Sequence, residues 1–250
     1  MNLKLHIPNI ITLLNLLSGS IAVIFAVQGN LVMAGFFVAL GIFFDFFDGL
    51  AARMLNVKSE LGLQLDSLAD MITSGLVPGI VMFQLFVMGL PSQATLAERM
   101  WSTGEDFFAW NFPAVALLGL LVTLGSGYRL AKFNIDDRQT DSFIGLPTPA
   151  NALLILSLPL ILIFDPDSWF AGIILNPWFL GGLSILSFLM LNAEIPLFAL
   201  KFRNWSFKEN RLRYFFILLC VILLVIFHFA AVPLIILSYV ILSVLFKGKS

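Results

Sequence analysis

The chain has 250 residues, 60% of them hydrophobic and only 12% charged, and its net charge is −1. The near-neutral charge argues against a nucleic-acid-binding protein, and the mean hydropathy of +0.99 indicates an integral membrane protein. The lone cysteine, Cys220, lies in an apolar run, which argues against a disulfide framework.

Eight segments are apolar over the roughly 20 residues that a helix needs to cross a bilayer. We expect helices at 8–28, 31–53, 61–89, 110–132, 148–165, 171–191, 212–230 and 232–247. The connection at Gly29 and Asn30 is short enough to make a tight hairpin of the first two helices. Pro233 suits the first turn of the last helix, where its missing N–H costs no hydrogen bond. The expected fold is therefore an all-α integral membrane bundle.

Lysine and arginine are distributed unevenly between the two sides of this bundle. With both termini in the cytoplasm, thirteen of the fourteen basic residues fall on the cytoplasmic side and only Arg99 falls outside. The positive-inside tendency therefore predicts cytoplasmic termini in a multi-pass protein of the cell inner (cytoplasmic) membrane.

The first helix carries a polar stripe on an otherwise apolar sequence. Asn9, Thr12 and Asn15 are spaced three residues apart, and Pro8, which suits the first turn of the helix, directly precedes Asn9. Such a stripe either makes hydrogen bonds between helices or contacts a ligand, and the residues alone leave both interpretations open.

Four carboxylates are concentrated between residues 45 and 70. Asp45 and Asp48 are three residues apart and Asp66 and Asp70 are four apart, so each pair shares one helix face. Small residues on these faces allow two helices, or a ligand, to come close: Gly49, Ala52 and Gly62. Four convergent carboxylates in a low-dielectric site need a cation, and hard oxygen ligands suit Mg²⁺, Mn²⁺ or Ca²⁺. We therefore predict a metal site near the cytoplasmic surface.

Three polar or helix-breaking features lie between or after these two pairs of acids. Arg53 offers a planar, charged fork to a diphosphate or simply marks the cytoplasmic side. Ser59 offers a hydroxyl to a ligand or caps the next helix. Pro78, with Gly75 and Gly79, predicts a kink that either shapes a pocket or reflects irregular packing.

The acidic stretch resembles the signature of the CDP-alcohol phosphotransferase family at every fixed position: Asp45-x2-Asp48-Gly49-x2-Ala52-Arg53-x8-Gly62-x3-Asp66-x3-Asp70. The resemblance implies that the four aspartates bind two divalent ions, Mg²⁺ or Mn²⁺, with Ca²⁺ as a further candidate. It implies transfer of a phosphatidyl group from CDP-diacylglycerol to an alcohol, with release of CMP and with Asp70 as the base. It also implies contacts to CDP-diacylglycerol from Pro8, Asn9, Thr12, Gly49, Ala52, Arg53, Ser59 and Gly62. The expected domains are a six-helix catalytic core at 1–200 and a basic loop with two C-terminal helices at 201–250.

Three later stretches resemble the membrane-type phosphatidylserine synthases of this family. Residues 126–134 are similar to their Arg-Leu-Ala-Arg-Phe-Asn segment, with Lys132 at the second arginine, and residues 143–152 to their Gly-Leu-Pro-x-Pro-Ala segment. Residues 189–197 resemble a third stretch, although Asn-Ala-Glu replaces the usual Val-Ser-Arg. The likeness implies L-serine as the acceptor, with Arg129 facing its carboxylate and with further contacts from Lys132, Asn134 and Pro147.

Other functions remain as alternatives at this stage. Glycerol 3-phosphate or inositol phosphate as acceptor would need a denser basic pocket than Arg129 and Lys132 provide. A cation-coupled transporter would place its acids nearer the bilayer midplane. Ser67 and Ser74 lie near the acids without an accompanying histidine or lysine base, so we expect one direct displacement without a covalent enzyme intermediate. The family further implies a homodimer.

Overall fold

The computed structural model describes residues 3–57, 59–90, 113–135, 143–198 and 210–246. Its first half contains α1 (Leu3–Val27), α2 (Leu31–Met54), α3 (Glu60–Asp70), a π-helical segment (Met71–Leu76) and α4 (Val77–Gly89). A 3₁₀ segment (Ala114–Leu120) then leads into α5 (Leu121–Ile135). The second half contains α6 (Thr148–Phe164), α7 (Ala171–Ile174), α8 (Pro177–Asn192), α9 (Arg211–Phe227), a 3₁₀ turn (His228–Ala230) and α10 (Ala231–Leu245). Two short strands, β1 (Phe143–Ile144) and β2 (Pro196–Leu197), pair antiparallel.

This arrangement confirms the predicted all-α membrane class. Five helical stretches are long and apolar enough to cross a bilayer: His6–Val27, Leu31–Met54, Glu60–Gly89, Ala114–Ile135 and Arg211–Leu245. Two apolar helices, Thr148–Phe164 and Pro177–Asn192, are shorter. The protein is therefore a multi-pass membrane protein.

One predicted helix differs from the observed structure. The segment expected at 171–191 is divided into α7 and α8, with Leu175 and Asn176 between them. Asn176 precedes Pro177 and adopts an extended backbone, because the proline ring disfavours helical geometry at the preceding residue. The Asn176 side chain then accepts a 2.9 Å hydrogen bond from the Trp178 N–H and caps α8.

A single bent helix, formed by α3, the π segment and α4, lies at the centre of the bundle. It contacts α1, α2, α5, α6 and α8. Met82, Leu85 and Phe86 on α4 are fully buried, as expected for a helix that is apolar on all sides. Helix α1 packs along α2 and also touches α3 and the π segment. The acidic end of the bent helix is therefore held against the first two helices.

The π segment occupies the place where the sequence predicted a kink. The Val77 N–H bonds to the Ile72 carbonyl five residues earlier, which is the wider spacing of a π turn. Pro78 follows at once and has no N–H to donate to the carbonyl four residues before it. The irregular backbone begins at the residue after Asp70, which places it directly beside the predicted metal site.

The last two helices form the outer part of the described structure. Most side chains of α9 face away from the bundle, and α10 contacts α6 and β2. Phe198, Phe216 and Tyr239 form an aromatic cluster, and the Tyr239 hydroxyl donates a 2.9 Å hydrogen bond to the Phe198 carbonyl. The division of the chain at residue 200 stays a prediction, because residues 199–209 lie outside the described ranges. Lys58, Arg99 and the basic residues at 201–208 and 247–249 also lie outside the described ranges. Their predicted sides of the membrane therefore stay predictions.

Candidate active site

Three of the four predicted metal-binding aspartates converge. Asp45 and Asp48 lie near the end of α2, and Asp66 lies in α3, which follows it after a short connection. One carboxylate oxygen from each lies within 4.8 Å of the other two. The side chain of Asp48 is buried, whereas Asp45 and Asp66 are half-buried. The helical spacing recognised in the sequence therefore brings the two faces together, as predicted.

Asp70 lies one turn beyond Asp66 and is outside this group of three oxygens. Its Oδ1 atom accepts a 3.2 Å hydrogen bond from the Nδ2 amide of Asn15 on α1. Its predicted roles as metal ligand and as base therefore stay predictions.

The donor set at this cluster fits a divalent cation. The Oδ1 atom of Asp66 is buried and has no hydrogen-bond partner. Within the described part of the chain, no lysine or arginine lies within ion-pairing distance of any of the four carboxylates. Uncompensated carboxylates at such separations repel one another in a low-dielectric environment, and hard oxygen donors suit Mg²⁺, Mn²⁺ or Ca²⁺. The site thus provides oxygen ligands and unbalanced negative charge for a divalent cation.

Helix α1 contributes directly to the acid cluster. The Thr12 hydroxyl lies 2.6 Å from Asp48 Oδ2, to which it donates, and 3.1 Å from the Pro8 carbonyl oxygen. Since both partners are buried, this bond holds the Asp48 carboxylate in one orientation. The polar stripe predicted on the first helix therefore makes hydrogen bonds between helices.

A cavity of about 600 Å³ opens beside Asp48 and Asp66. Its lining includes seven of the eight residues predicted to contact CDP-diacylglycerol: Pro8, Asn9, Thr12, Gly49, Ala52, Ser59 and Gly62. Val57, Glu60 and Leu63 also line it and were missed from the sequence. In the sequence, only the closeness of these three residues to Ser59 and Gly62 indicated that they line the cavity. The volume lies within the range of small-molecule sites in proteins.

Two glycines at the cavity have different surroundings. A Cβ atom built on Gly62 would lie 3.0 Å from Ser59 Oγ and 3.1 Å from Asn9 Oδ1, so this glycine allows α1 to approach α3. The nearest atom to a Cβ on Gly49 is Arg53 Nη2, at 3.8 Å. Gly49 therefore leaves room for a ligand in the cavity, not for a neighbouring helix.

Ser59 and Arg53 both have contacts within the protein. Ser59 caps α3, since its Oγ accepts a 3.0 Å hydrogen bond from the Gly62 N–H. Arg53 is the one predicted CDP-diacylglycerol contact that does not line the cavity. Its side chain is exposed, and its Nε donates to the Gly49 carbonyl at 2.9 Å. The cap accounts for the local position of Ser59, while the predicted ligand contacts of both residues stay predictions.

The residues predicted to bind serine lie around the ends of α5, α6 and α8. Arg129 is buried, and its Nη1 donates to the carbonyl oxygens of Ile144 at 2.7 Å and Leu191 at 3.0 Å. Lys132 forms a 3.1 Å ion pair with Glu194. Arg129 and Lys132 line a crevice of only about 10 Å³, which has room for about one water molecule. This crevice is too small for serine.

The other two predicted serine contacts are separated from that crevice. Asn134 exchanges hydrogen bonds with Ser67, the neighbour of Asp66, at 2.9 and 3.2 Å. Pro147 precedes α6, and its carbonyl accepts from the Asn151 N–H at 3.1 Å. Asp136, Asp137 and Asp141, the acids that follow Asn134 in the sequence, lie outside the described residues. Serine binding by these residues stays a prediction.

The contacts of several buried polar groups were not predicted from the sequence. Asn15 and Thr73 form a hydrogen-bonded pair next to Asp70. Three other polar residues are buried: Ser74, Ser126 and Asn151. The hydroxyl groups of the two serines and the side-chain amide of the asparagine have no hydrogen-bond partner. A signal existed for two of these residues. Asn15 continues the polar stripe of α1, and Thr73 lies three residues after Asp70, on the same helix face.

The acid cluster and the cavity lie in the part of the chain that matches a known protein family. The sequence model of the CDP-alcohol phosphatidyltransferase family matches residues 5–183, which include the acid cluster and the cavity. The chain belongs to this family.

Among curated proteins, the chain is similar to enzymes named CDP-diacylglycerol–serine O-phosphatidyltransferase. The Bacillus subtilis protein is 34% identical over 153 residues, covering 61% of this chain and 75% of the relative. The Helicobacter pylori protein is 31% identical over 206 residues, covering 80% and 75% respectively. The Saccharomyces cerevisiae protein is 32% identical over 171 residues, covering 62% and 54%.

Proposed function

We propose that this protein transfers the phosphatidyl group of CDP-diacylglycerol to the hydroxyl of L-serine, giving phosphatidylserine and CMP. The observation that carries the proposal is the cluster of Asp45, Asp48 and Asp66, of which Asp48 and Asp66 line the 600 Å³ cavity. The names of the relatives from three organisms support serine as the acceptor. None of the described contacts favours glycerol 3-phosphate, inositol phosphate or a transport function.

The residues present suit a site with two divalent ions. Asp45, Asp48, Asp66 and Asp70 would hold Mg²⁺ or Mn²⁺, with Ca²⁺ as a further candidate occupant. Bound there, these ions would supply positive charge against the diphosphate of CDP-diacylglycerol.

The protein's own side chains bind and orient the substrates. The cavity beside Asp48 receives the cytidine diphosphate, and Gly49 and Ala52 give it room. Arg53, whose Nε donates to the Gly49 carbonyl, contacts the diphosphate. Asp70 accepts the proton of the serine hydroxyl as the oxygen attacks the phosphorus atom. The bond from phosphorus to the CMP oxygen breaks in the same step, and CMP leaves. One displacement of this kind inverts the configuration at phosphorus.

On the acceptor side, Arg129 and Lys132 supply positive charge on the same helix as Asn134. We assign the serine carboxylate to Arg129, whose Nη1 is engaged by two carbonyls, so the contact would come from another nitrogen of the guanidinium group. Opening of the small crevice beside Lys132 and Glu194 would be required to admit the amino acid.

The remaining proposals concern the membrane and the assembly. The asymmetry of lysine and arginine supports cytoplasmic termini and a cytoplasmic active site in the cell inner membrane. Membership of the family supports a homodimer, which crosslinking in native membranes would test.

The proposed function is tested with the purified full-length protein in detergent and CDP-diacylglycerol. Acceptors are offered separately: L-serine, glycerol 3-phosphate and inositol phosphate. With serine, we expect CMP release and formation of a new phospholipid at a rate far above the rates with the other two acceptors. EDTA should abolish this activity, and added Mg²⁺ or Mn²⁺ should restore it. Asp48→Asn should abolish turnover, whereas Asp165→Asn at the far end of α6 should not. Preference for another acceptor, or activity that resists the chelator, would contradict the proposal.

A further inference from the structure

Asn15 is a fully buried amide that uses both of its ends. Its Nδ2 lies 3.2 Å from Asp70 Oδ1, and its Oδ1 lies 2.8 Å from the hydroxyl of Thr73. Thr73 is also fully buried and lies on the π segment, three residues after Asp70. The three side chains therefore form one hydrogen-bonded chain from Thr73 through Asn15 to Asp70.

The chemistry of the three groups determines which one donates and which one accepts in each of these hydrogen bonds. An ionised carboxylate only accepts hydrogen bonds, so the amide nitrogen of Asn15 must face Asp70. The opposite orientation would set the Asn15 oxygen against the Asp70 carboxylate and would lose that bond. The Thr73 hydroxyl donates to Asn15 Oδ1 and thereby stabilises the productive orientation of the amide.

The neighbouring helices are shaped around this pair. A Cβ atom on Gly41 of α2 would lie 2.6 Å from Thr73 Cγ2 and 2.8 Å from Asn15 Oδ1. A Cβ on Gly19 of α1 would collide with the Thr73 hydroxyl. The two helices thus each present a surface without a side chain where the Asn15–Thr73 pair lies.

We propose that the Asn15–Thr73 pair positions the Asp70 carboxylate for its reaction with the acceptor hydroxyl. Asn15 holds Oδ1 of Asp70, which leaves Oδ2 to accept the proton of the alcohol, and Thr73 fixes the Asn15 amide. Neither residue touches the substrate. This inference rests on the proposed function, because the role of Asp70 as base is part of that proposal.

Substitutions at Thr73 give the sharpest test, since valine keeps the shape of threonine and removes only the hydroxyl. We expect Thr73→Val to lower kcat for CMP release about tenfold, in the range for residues that orient a reacting group. The KM values for CDP-diacylglycerol and serine should stay within about twofold. Thr73→Ser keeps the hydroxyl and should retain kcat. Asn15→Leu should lower kcat by about 10- to 100-fold.

Thr123→Val is the matched control. The Thr123 hydroxyl donates at 3.2 Å to the Gly75 carbonyl of the same π segment, but it contacts none of the four acids. It should lose a comparable amount of stability with kcat unchanged. Unfolding temperature and equilibrium binding of labelled CDP-diacylglycerol are measured for every variant. These two measurements separate mispositioning of Asp70 from a poorly folded protein.

Three outcomes would overturn the inference: kcat within twofold of wild type in Thr73→Val, an equal loss of kcat in Thr123→Val, or a loss in Thr73→Ser as large as in Thr73→Val. If Asn15→Leu does not fold, the isosteric Thr73→Val and its control still decide the matter. Absence of serine transfer by the wild-type protein counts against the proposed function. Normal wild-type turnover with an unaffected Thr73→Val counts only against the positioning role.

Discussion

The glycines of α2 illustrate how neighbours determine what a single residue does. Gly41 faces the Asn15–Thr73 pair, Gly49 faces the cavity, and Gly35 has no atom within 4 Å of a built Cβ. All three occur in one helix, and of the three only Gly49 belongs to the acidic signature recognised in the sequence. Their substitution by alanine should therefore have three different results.

Gly49→Ala is expected to weaken binding of CDP-diacylglycerol without lowering stability. No protein atom lies closer than 3.8 Å to the added Cβ, and alanine favours a helix over glycine by about 1 kcal/mol. The methyl group would instead occupy space that the ligand needs. Overpacking of this kind typically costs roughly 1–3 kcal/mol, here in the free energy of binding, so KM for CDP-diacylglycerol should rise about tenfold. Steady-state kinetics and thermal unfolding measure the two effects, with Gly35→Ala as control. An unchanged KM would show that the ligand does not approach Gly49.

At the scale of elements, α1 and the bent central helix act together. Helix α1 directs Thr12 to Asp48 and Asn15 to Asp70, so its polar stripe reaches the acids of both α2 and α3. The π segment continues the face that carries Asp66 and Asp70 and adds Thr73 to it. The site thus depends on how closely α1, α2 and the π segment approach one another.

Gly41→Ala should disturb that approach and lower both stability and kcat. The added Cβ would meet Thr73 and Asn15 at 2.6 and 2.8 Å, so these side chains must shift from the positions in which they hold Asp70. We expect a cost of about 1–3 kcal/mol in the free energy of unfolding. A clear fall in kcat should accompany it. Gly35→Ala, six residues earlier on the same helix, should change neither quantity. Normal kcat in a destabilised Gly41→Ala protein would mean that Asp70 does not need this packing.

At the scale of the whole molecule, Arg129 joins segments that are far apart in the chain. Its guanidinium group binds the carbonyls of Ile144, 15 residues away, and Leu191, 62 residues away. Gly145, with φ +74°, allows the turn between them, where a Cβ would lie 3.0 Å from Arg129 Nη1. On the same helix as Arg129, Asn134 donates a hydrogen bond to Ser67, the neighbour of Asp66, and so links α5 to the helix that carries this acid.

Comparing Arg129→Ala with Gly145→Ala separates two roles of Arg129: binding of serine and stabilisation of the turn at Gly145. Both substitutions should lower the unfolding temperature, the first because each buried carbonyl left unpaired costs about 1–3 kcal/mol. If Arg129 also binds the serine carboxylate, Arg129→Ala should raise KM for serine about tenfold while Gly145→Ala raises it little. The KM for CDP-diacylglycerol should change less in both. Equal increases in serine KM for the two variants would restrict Arg129 to holding the turn.

Local spacing in the sequence determined much of this protein. Helical periodicity was sufficient to group Asp45 with Asp48 and Asp66 with Asp70, and length with hydropathy was sufficient for the membrane helices. Seven predicted ligand contacts line one cavity because they lie on α1, α2 and α3, which are joined by short connections.

Only the tertiary structure decided which distant groups meet. Asn15 and Thr73 are 58 residues apart, and Arg129 and Leu191 are 62 apart, so no helical period relates them. The break between α7 and α8 was expressed locally in Asn176–Pro177, but its apolar surroundings resembled one continuous helix. A buried hydrogen bond is formed only where packing excludes water and brings donor to acceptor, and that packing belongs to the whole bundle.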